Sequence, residues 1–311
     1  HINTIFSDLS GNVWIGTEKG VAKFDKYKQG FITVGINNNS DQGLIDQNVW
    51  SFNEDKNNKI YIGTKKDLTV YHPYRNIFSH FYRPEKNEHY LMSIYPETPN
   101  KIWLGYDDGL FILNIESSND YSFTKVEFQE NTIDQSIRVY QIKPYKDGKL
   151  WIGTRSGLSL IDMETKEYKF YHPSNLSYSI GDGAVKVIYN DLNGNFWFVT
   201  NNDGLYKFIV EDEDELFIPF LTNSQIETNS HITSILQTDT NNIWLGTYGE
   251  GLKLLDLKKM AITNYTESNG LANNVVYGLL SDEENNIWIS TNKGLSKFNP
   301  ETKTFKNYTT N

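Results

Sequence analysis

Short apolar segments alternate with polar turns along the whole chain, and the alternation is periodic. The clearest copy is Leu150-Trp151-Ile152-Gly153-Thr154, then Arg155-Ser156, then Gly157-Leu158-Ser159-Leu160-Ile161-Asp162. Runs of this length, rich in β-branched and aromatic residues and bounded by Gly, Asp and Asn, read as strands. The anchor aromatic recurs as Trp14, Tyr61, Trp103, Trp151, Trp197, Trp244 and Trp288, at successive spacings of 47, 42, 48, 46, 47 and 44 residues. That period suits a four-stranded propeller blade and exceeds short solenoid repeats. Six of the seven tryptophans take this position, and only Trp50 lies elsewhere. The fold class expected is therefore all-β, a seven-bladed β-propeller with four antiparallel strands per blade.

Each unit reads as strands A to D. Strand A is an apolar segment such as Val49-Trp50-Ser51-Phe52 or Val185-Lys186-Val187-Ile188. A turn such as Asp8-Leu9-Ser10-Gly11-Asn12 leads to strand B, which carries the Trp-Ile-Gly-Thr segment. Asp, Asn and Gly tolerate the left-handed backbone angles of hairpin turns. A short connection ending in Gly opens strand C, and a further turn gives strand D. Small residues in strand A (Thr4, Ser51, Ser93, Ser234, Gly278) place it nearest the axis, where strands converge, with Gln141 and Val187 as exceptions. The tryptophans are expected to pack between blades. The approximate blades are 1–35, 48–83, 90–128, 138–171, 184–221, 231–265 and 275–309, one propeller in all. The chain starts on strand A and ends on strand D, so ring closure is expected to rest on packing between the end blades or on sequence outside this segment. The segment reads as part of a longer precursor.

Charge and composition narrow the function classes. Thirty-nine acidic against 29 basic residues give a net charge of −10, which disfavours binding to a phosphate backbone, and no basic patch offsets it. The absence of cysteine removes disulfides, thiolate metal sites and cysteine nucleophiles. No apolar run approaches the roughly 18 residues of a membrane span.

The unit V-x-S-I-x-x-D-x-x-G-N-x-W-I-G-T-x-x-G-L-x-x-F-D resembles the two-component regulator propeller repeat, in all seven copies. It lacks the Gly-His and Trp-Asp pair of WD repeats and the paired glycines of kelch repeats. The resemblance implies an extracytoplasmic, periplasmic sensor segment of an inner-membrane hybrid two-component histidine kinase. It implies an oligosaccharide ligand, further domains of the same chain as partners, a homodimer in the full sensor and control of genes for glycan use. The segment itself has no phosphoacceptor His box and no Gly-rich nucleotide loop, so it is expected not to be an enzyme.

Candidate chemistry is sparse. The six histidines show no metal spacing. The run Glu211-Asp212-Glu213-Asp214-Glu215 lacks a calcium-loop pattern and reads as a solvated C–D connection. Neither a metal site, a cofactor nor a catalytic set is expected. A ligand is expected on the face where B–C and D–A loops emerge, because residues that vary on a rigid scaffold carry specificity. The candidates there are Lys66, Tyr106, Asp108, Arg155, Asp203, Tyr248 and Lys293. Tyr106 and Tyr248 offer flat faces for pyranose rings. Lys66, Arg155 and Lys293 suit a uronate or sulfate, and Asp108 and Asp203 accept from hydroxyls. The long D–A connections, Gly35 to Asn48 and Pro173 to Gly183, are expected to cover this face or meet a neighbouring domain. Two further classes stay open: a propeller lyase or hydrolase acting on polysaccharide, and a protein-interaction platform with no small ligand.

Overall fold

A computed structural model of the chain describes residues 2–25, 30–34, 43–84, 88–128, 137–171, 179–181, 183–202, 204–212, 214–222 and 231–308. The described residues form seven four-stranded sheets, each built from strands consecutive in the chain. This is a seven-bladed β-propeller. The inner A strands are Ile2–Ser7, Val49–Glu54, Leu91–Thr98, Val139–Pro144, Val185–Asn190, Ile232–Asp239 and Val276–Ser281. The B strands beside them are Val13–Thr17, Ile60–Thr64, Lys101–Tyr106, Lys149–Thr154, Phe196–Thr200, Asn242–Thr247 and Ile287–Thr291. No helix among the described residues is long and apolar enough to cross a membrane. The chain packs as two compact units. One is Asn3–Thr154 with Leu160–Tyr168; the other is Lys169–Asn311 with Arg155–Ser159 and His1–Ile2.

Strand B is deeply buried in each blade. Ile60–Thr64 and Phe196–Thr200 are buried at every residue, as expected for strands covered on both faces. The D strand Asp120–Lys125 alternates exposed and half-buried positions before its exposed end, which marks an outer edge. The tryptophans pack as the repeat predicts. Trp14 of the first blade meets Phe52 and Tyr71 of the second at 6.4 and 5.9 Å. Trp244 of the sixth meets Phe298 of the seventh at 5.5 Å.

The indole N–H groups reveal a second role for the A–B turn. Trp14 donates to Asp8 (2.8 Å), Trp197 to Asp191 (2.9 Å) and Trp288 to Asp282 (3.0 Å), always six residues upstream. Tyr61 donates to Asp55 (3.1 Å), Trp103 to Glu97 (2.8 Å) and Trp244 to Thr238 (3.2 Å) in the same way. The other oxygen of Asp8 accepts the backbone N–H groups of Ser10 and Asn12. One carboxylate thus closes the hairpin and satisfies a buried donor that would otherwise cost about 1–3 kcal/mol. In the fourth blade Tyr145 holds this place, its ring 5.3 Å from that of Trp151.

The glycine of Trp-Ile-Gly-Thr has a steric cause. A Cβ on Gly63 would lie 2.2 Å from Ser51 Oγ and 2.7 Å from the Leu91 carbonyl oxygen. On Gly16, Gly105 and Gly246 it would come within 2.7 Å of Val49, Val139 and Val276, each the first residue of the next blade's A strand. The small A-strand residues are the cross-strand partners of these positions: Ser51 faces Gly63, Ser93 faces Gly105 and Ser234 faces Gly246. The acidic run sits at a hairpin tip, with Glu211 ending strand C (Gly204–Glu211) and Asp214 opening strand D (Asp214–Thr222); Glu213 lies outside the described residues.

Two expectations follow for stability. Gly63→Ala should destabilise by about 1–3 kcal/mol through overpacking, read as a lowered denaturation midpoint. Burial pushes the Asp191 and Asp282 carboxyls up, but hydrogen bonds outweigh it and hold both below the usual range: Trp197, Asn195 and backbone N–H groups at Asp191, Lys297, Asn286 and Trp288 at Asp282. A depressed native value gives stability that is present above the unfolded value near pH 4 and is lost as the pH falls. Thermal melts from pH 6 down to pH 3 should therefore show an acid-side loss of stability, made shallower by Asp191→Asn.

Candidate ligand-binding surface

The inner strands carry a recurring irregularity. In six blades the pairing of strand A with strand B skips one residue after the first. The extra residues are Trp50, Met92, Tyr140, Lys186, Thr233 and Tyr277. A bulge of this kind re-aims a side chain and is typical beside functional sites. Each lies at the strand end beside the B–C loop, on the face the sequence singles out. Thr233 uses its hydroxyl to reach the Val276 carbonyl, 2.7 Å away. Trp50 and Tyr277 instead form aromatic clusters, one in each compact unit.

In the unit containing blades two and three, the Trp50 ring meets Tyr90 edge-on at 4.9 Å, and Lys65 Nζ lies 5.8 Å from the Tyr90 ring. The Trp50 indole N–H is buried without an acceptor. A buried orphan donor costs free energy and is unusual enough to need a reason. The same unit holds two departures from the repeat. Asp67 replaces the glycine that opens strand C and takes φ 111°, where the equivalent glycines have φ of 108–152° in blades one, three, four, five and seven. Strain of this sort costs about 1–3 kcal/mol and is held only by surrounding structure. Tyr106 replaces the threonine that ends strand B.

The two departures meet. Tyr106 Oη donates to Asp67 Oδ1 at 2.9 Å, and the Arg83 backbone N–H donates to Asp67 Oδ2 at 2.8 Å. The Arg83 guanidinium lies 4.4 Å from the centre of the Tyr106 ring and 4.5 Å from that of Phe111. It grips both oxygens of Asp108 at 3.0 and 3.1 Å. Burial pushes the Asp67 carboxyl up, against the hydrogen bonds from Arg83 and Tyr106, and pushes the Tyr106 phenol well up. His89 sits between Asp107 (Nδ1, 3.2 Å) and Asp108 (Nε2, 3.4 Å). Among the described residues these three alone bring ligating atoms within 4.8 Å of one another. Arg83 already supplies a cation to both Asp108 oxygens, so the donor set fits an ion-pair network better than a metal.

In the other unit, Tyr248 is 55% exposed and its ring centre lies 6.3 Å from that of Tyr277. Tyr277 Oη donates to Asn292 Oδ1 at 2.7 Å. Lys293 Nζ, next in the chain, is 3.6 Å from Glu267. The Tyr248 backbone is fixed by its N–H to the His231 carbonyl (3.0 Å) and by a bridge to Val275. The result is an exposed ring, Tyr248, beside a half-buried one, Tyr277, rimmed by an amide and an ammonium group.

The candidates from the sequence separate accordingly. Tyr248 and Lys293 share the second cluster. Lys66 is exposed, 3.9 Å from Asp46, and Arg155 is exposed at its B–C turn. Tyr106 is corrected: it is wholly buried and offers no face to a sugar, because its ring is covered by Arg83. Asp108 is half-buried and already accepts two bonds from Arg83. Asp203 lies outside the described residues, as do residues 35–42, 173–178 and 182 of the long D–A connections. Asp67, Arg83, His89 and Tyr277 went unrecognised in the sequence. The available signal was the breach of the repeat at Asp67 and Tyr106.

The repeats define a class, a seven-bladed propeller with a bulge at the start of the inner strand in six blades. A family model for the two component regulator propeller matches residues 43–66, 227–249 and 270–293; these three segments are similar to repeats of that family. The matched segments contain Trp50, Tyr248 and Tyr277. No curated protein sequence matches the chain. The extracellular domain of a putative hybrid two component system from B. thetaiotaomicron is 19% identical over 99% of this chain and 51% of its own, with a TM-score of 0.47. The chain thus spans about half the length of such relatives. A virginiamycin B lyase from Staphylococcus aureus is 14% identical over 93% of this chain and 90% of its own, TM-score 0.66. The Cps50 (Swd1) β-propeller domain of Myceliophteria thermophila is 12% identical over 100% and 98%, TM-score 0.68. At such identities the likeness shows the fold alone.

For the buried network, Tyr106→Phe should keep the ring and lose the bond to Asp67. The expected cost is about 1–3 kcal/mol, read by chemical denaturation. Tyr106→Thr, which restores the repeat residue, should cost more, because it also uncovers Arg83.

Proposed function

We propose that this propeller is the ligand-sensing segment of an extracytoplasmic two-component sensor in the periplasm, responding to an oligosaccharide. The match to the two component regulator propeller carries the sensor reading. The bulged aromatic positions support a sugar ligand. Tyr248 and Tyr277 present ring faces of the kind that pack against pyranose C–H groups, and Asn292 and Lys293 supply polar partners at the rim, the usual make-up of a specific small-molecule site. Binding is relayed through inter-domain and dimer contacts to a histidine kinase elsewhere in the full protein. This segment performs no chemistry of its own.

Purified protein screened against neutral and acidic oligosaccharides should gain thermal stability with one class, without product. Tyr248→Ala and Tyr277→Ala should each weaken that binding about tenfold, roughly 1.4 kcal/mol, and leave the unliganded melting temperature near that of the parent. Product formation would replace the sensor reading with a propeller enzyme. A flat response to every glycan would favour an interaction platform.

A further inference from the structure

The A strands of blades two, three and four end, away from the bulges, around a cavity of about 660 Å³. Its walls are Asn53 to Asn57, Tyr95 to Pro99 and Ile142 to Pro144. All belong to one compact unit. The cavity lies at the A–B turn end of these strands, opposite the face discussed above.

Its polar groups are unevenly satisfied. Glu54 accepts the Leu9 N–H at 2.6 Å. Asp55 accepts from Asn57, Lys59 and the Tyr61 hydroxyl. Glu97 accepts from Trp103 at 2.8 Å and from Lys101 at 3.0 Å. Each carboxylate in the wall therefore already holds protein donors. The cations differ. Lys143 is half-buried on the fourth A strand, and among the described residues it has no carboxylate or carbonyl partner. Burial alone pulls its ammonium group below the ordinary lysine range, with no neighbouring charge restoring it. The Tyr95 hydroxyl, on the same wall, likewise donates to no described group, and Lys56 stands exposed at the rim. Pro96, Pro99 and Pro144 line the rest of the space and carry no N–H to compete for an acceptor.

A half-buried ammonium without a counter-charge is costly, and an acceptor that enters the cavity relieves that cost. We infer that this cavity is a second ligand site, which takes a carboxylate- or sulfate-bearing small molecule, its oxyanion paired with Lys143 and hydrogen-bonded by Tyr95. The site is separate from the aromatic surface and does not depend on a neutral sugar binding there. The volume has room for a uronic acid, whose carboxylate must approach from the Lys143 and Tyr95 side, away from the wall's own carboxylates.

The test follows Lys143 directly. Reductive methylation of the intact protein at mildly alkaline pH, read by peptide mass spectrometry, should follow Lys143 and the exposed Lys259 separately. Sodium glucuronate at ten times its dissociation constant should slow that modification about tenfold, with Lys259 as the internal control; glucose should not. Sodium sulfate separates the two oxyanion sources. Protection by sulfate alone assigns the site to sulfated ligands, and protection by glucuronate alone to uronates. Lys143→Met should abolish the melting-temperature rise given by the protecting anion, and Lys143→Arg should restore most of it. The proposal is overturned if neither anion protects Lys143, or if Lys143→Met, folded by circular dichroism, keeps the full rise. A failed glycan screen on the other face would leave this result untouched.

Discussion

The close approach of one blade's inner strand to the next blade's B strand is the constraint on which the rest depends. Where Val49, Leu91, Val139 and Val276 cover Gly16, Gly63, Gly105 and Gly246, there is no room for a Cβ. That contact accompanies the small residues on the A strands: serine sits across from Gly63, Gly105 and Gly246, whereas Gln141 faces Gly153. It also leaves the tryptophan, two residues earlier, as the large side chain that fills the space between blades. The aspartate six residues before the tryptophan completes the unit by taking the indole proton and closing the turn.

Against so regular a scaffold, departures carry information. Asp67 and Tyr106 each break the repeat, and each alone is unfavourable: one is strained at φ 111° and the other is a phenol wholly buried. Together with Arg83 they satisfy one another. The buried guanidinium lies against the Tyr106 ring and holds Asp108, so what reads as a row of independent loop tips is a single ionic and aromatic network. Such a network rigidifies the second and third blades, and it removes Tyr106 and Asp108 from the groups free to meet a ligand.

Aromatic side chains instead gather at two of the inner-strand bulges. The extra residue escapes the strand pairing that holds its neighbours, and its side chain reaches the adjoining blade instead. Thr233 spends that freedom on a neighbouring backbone carbonyl, whereas Trp50 and Tyr277 spend it on aromatic clusters. At the other end of the same strands no bulge occurs in the second and fourth blades, and the A–B turns and prolines enclose the space around Lys143. One set of strands thus presents two chemically different ends.

Blade number, strand order and the buried tryptophans were legible in the sequence, because each depends on spacing and local pattern that recur seven times. Tyr248 and Lys293 were legible too, as loop residues exposed by their position alone. Bulges were not, since an extra residue in strand A leaves the apolar pattern readable in either register until the partner strand is seen. Nor was the fate of Tyr106, which depends on Arg83, 23 residues earlier in the chain, folding back over its ring. The sequence by itself therefore determined the scaffold and the face of each loop. Only the tertiary structure decided which loop residues are spent on one another and which remain open, because burial and pairing between blades depend on distances that no single repeat encodes.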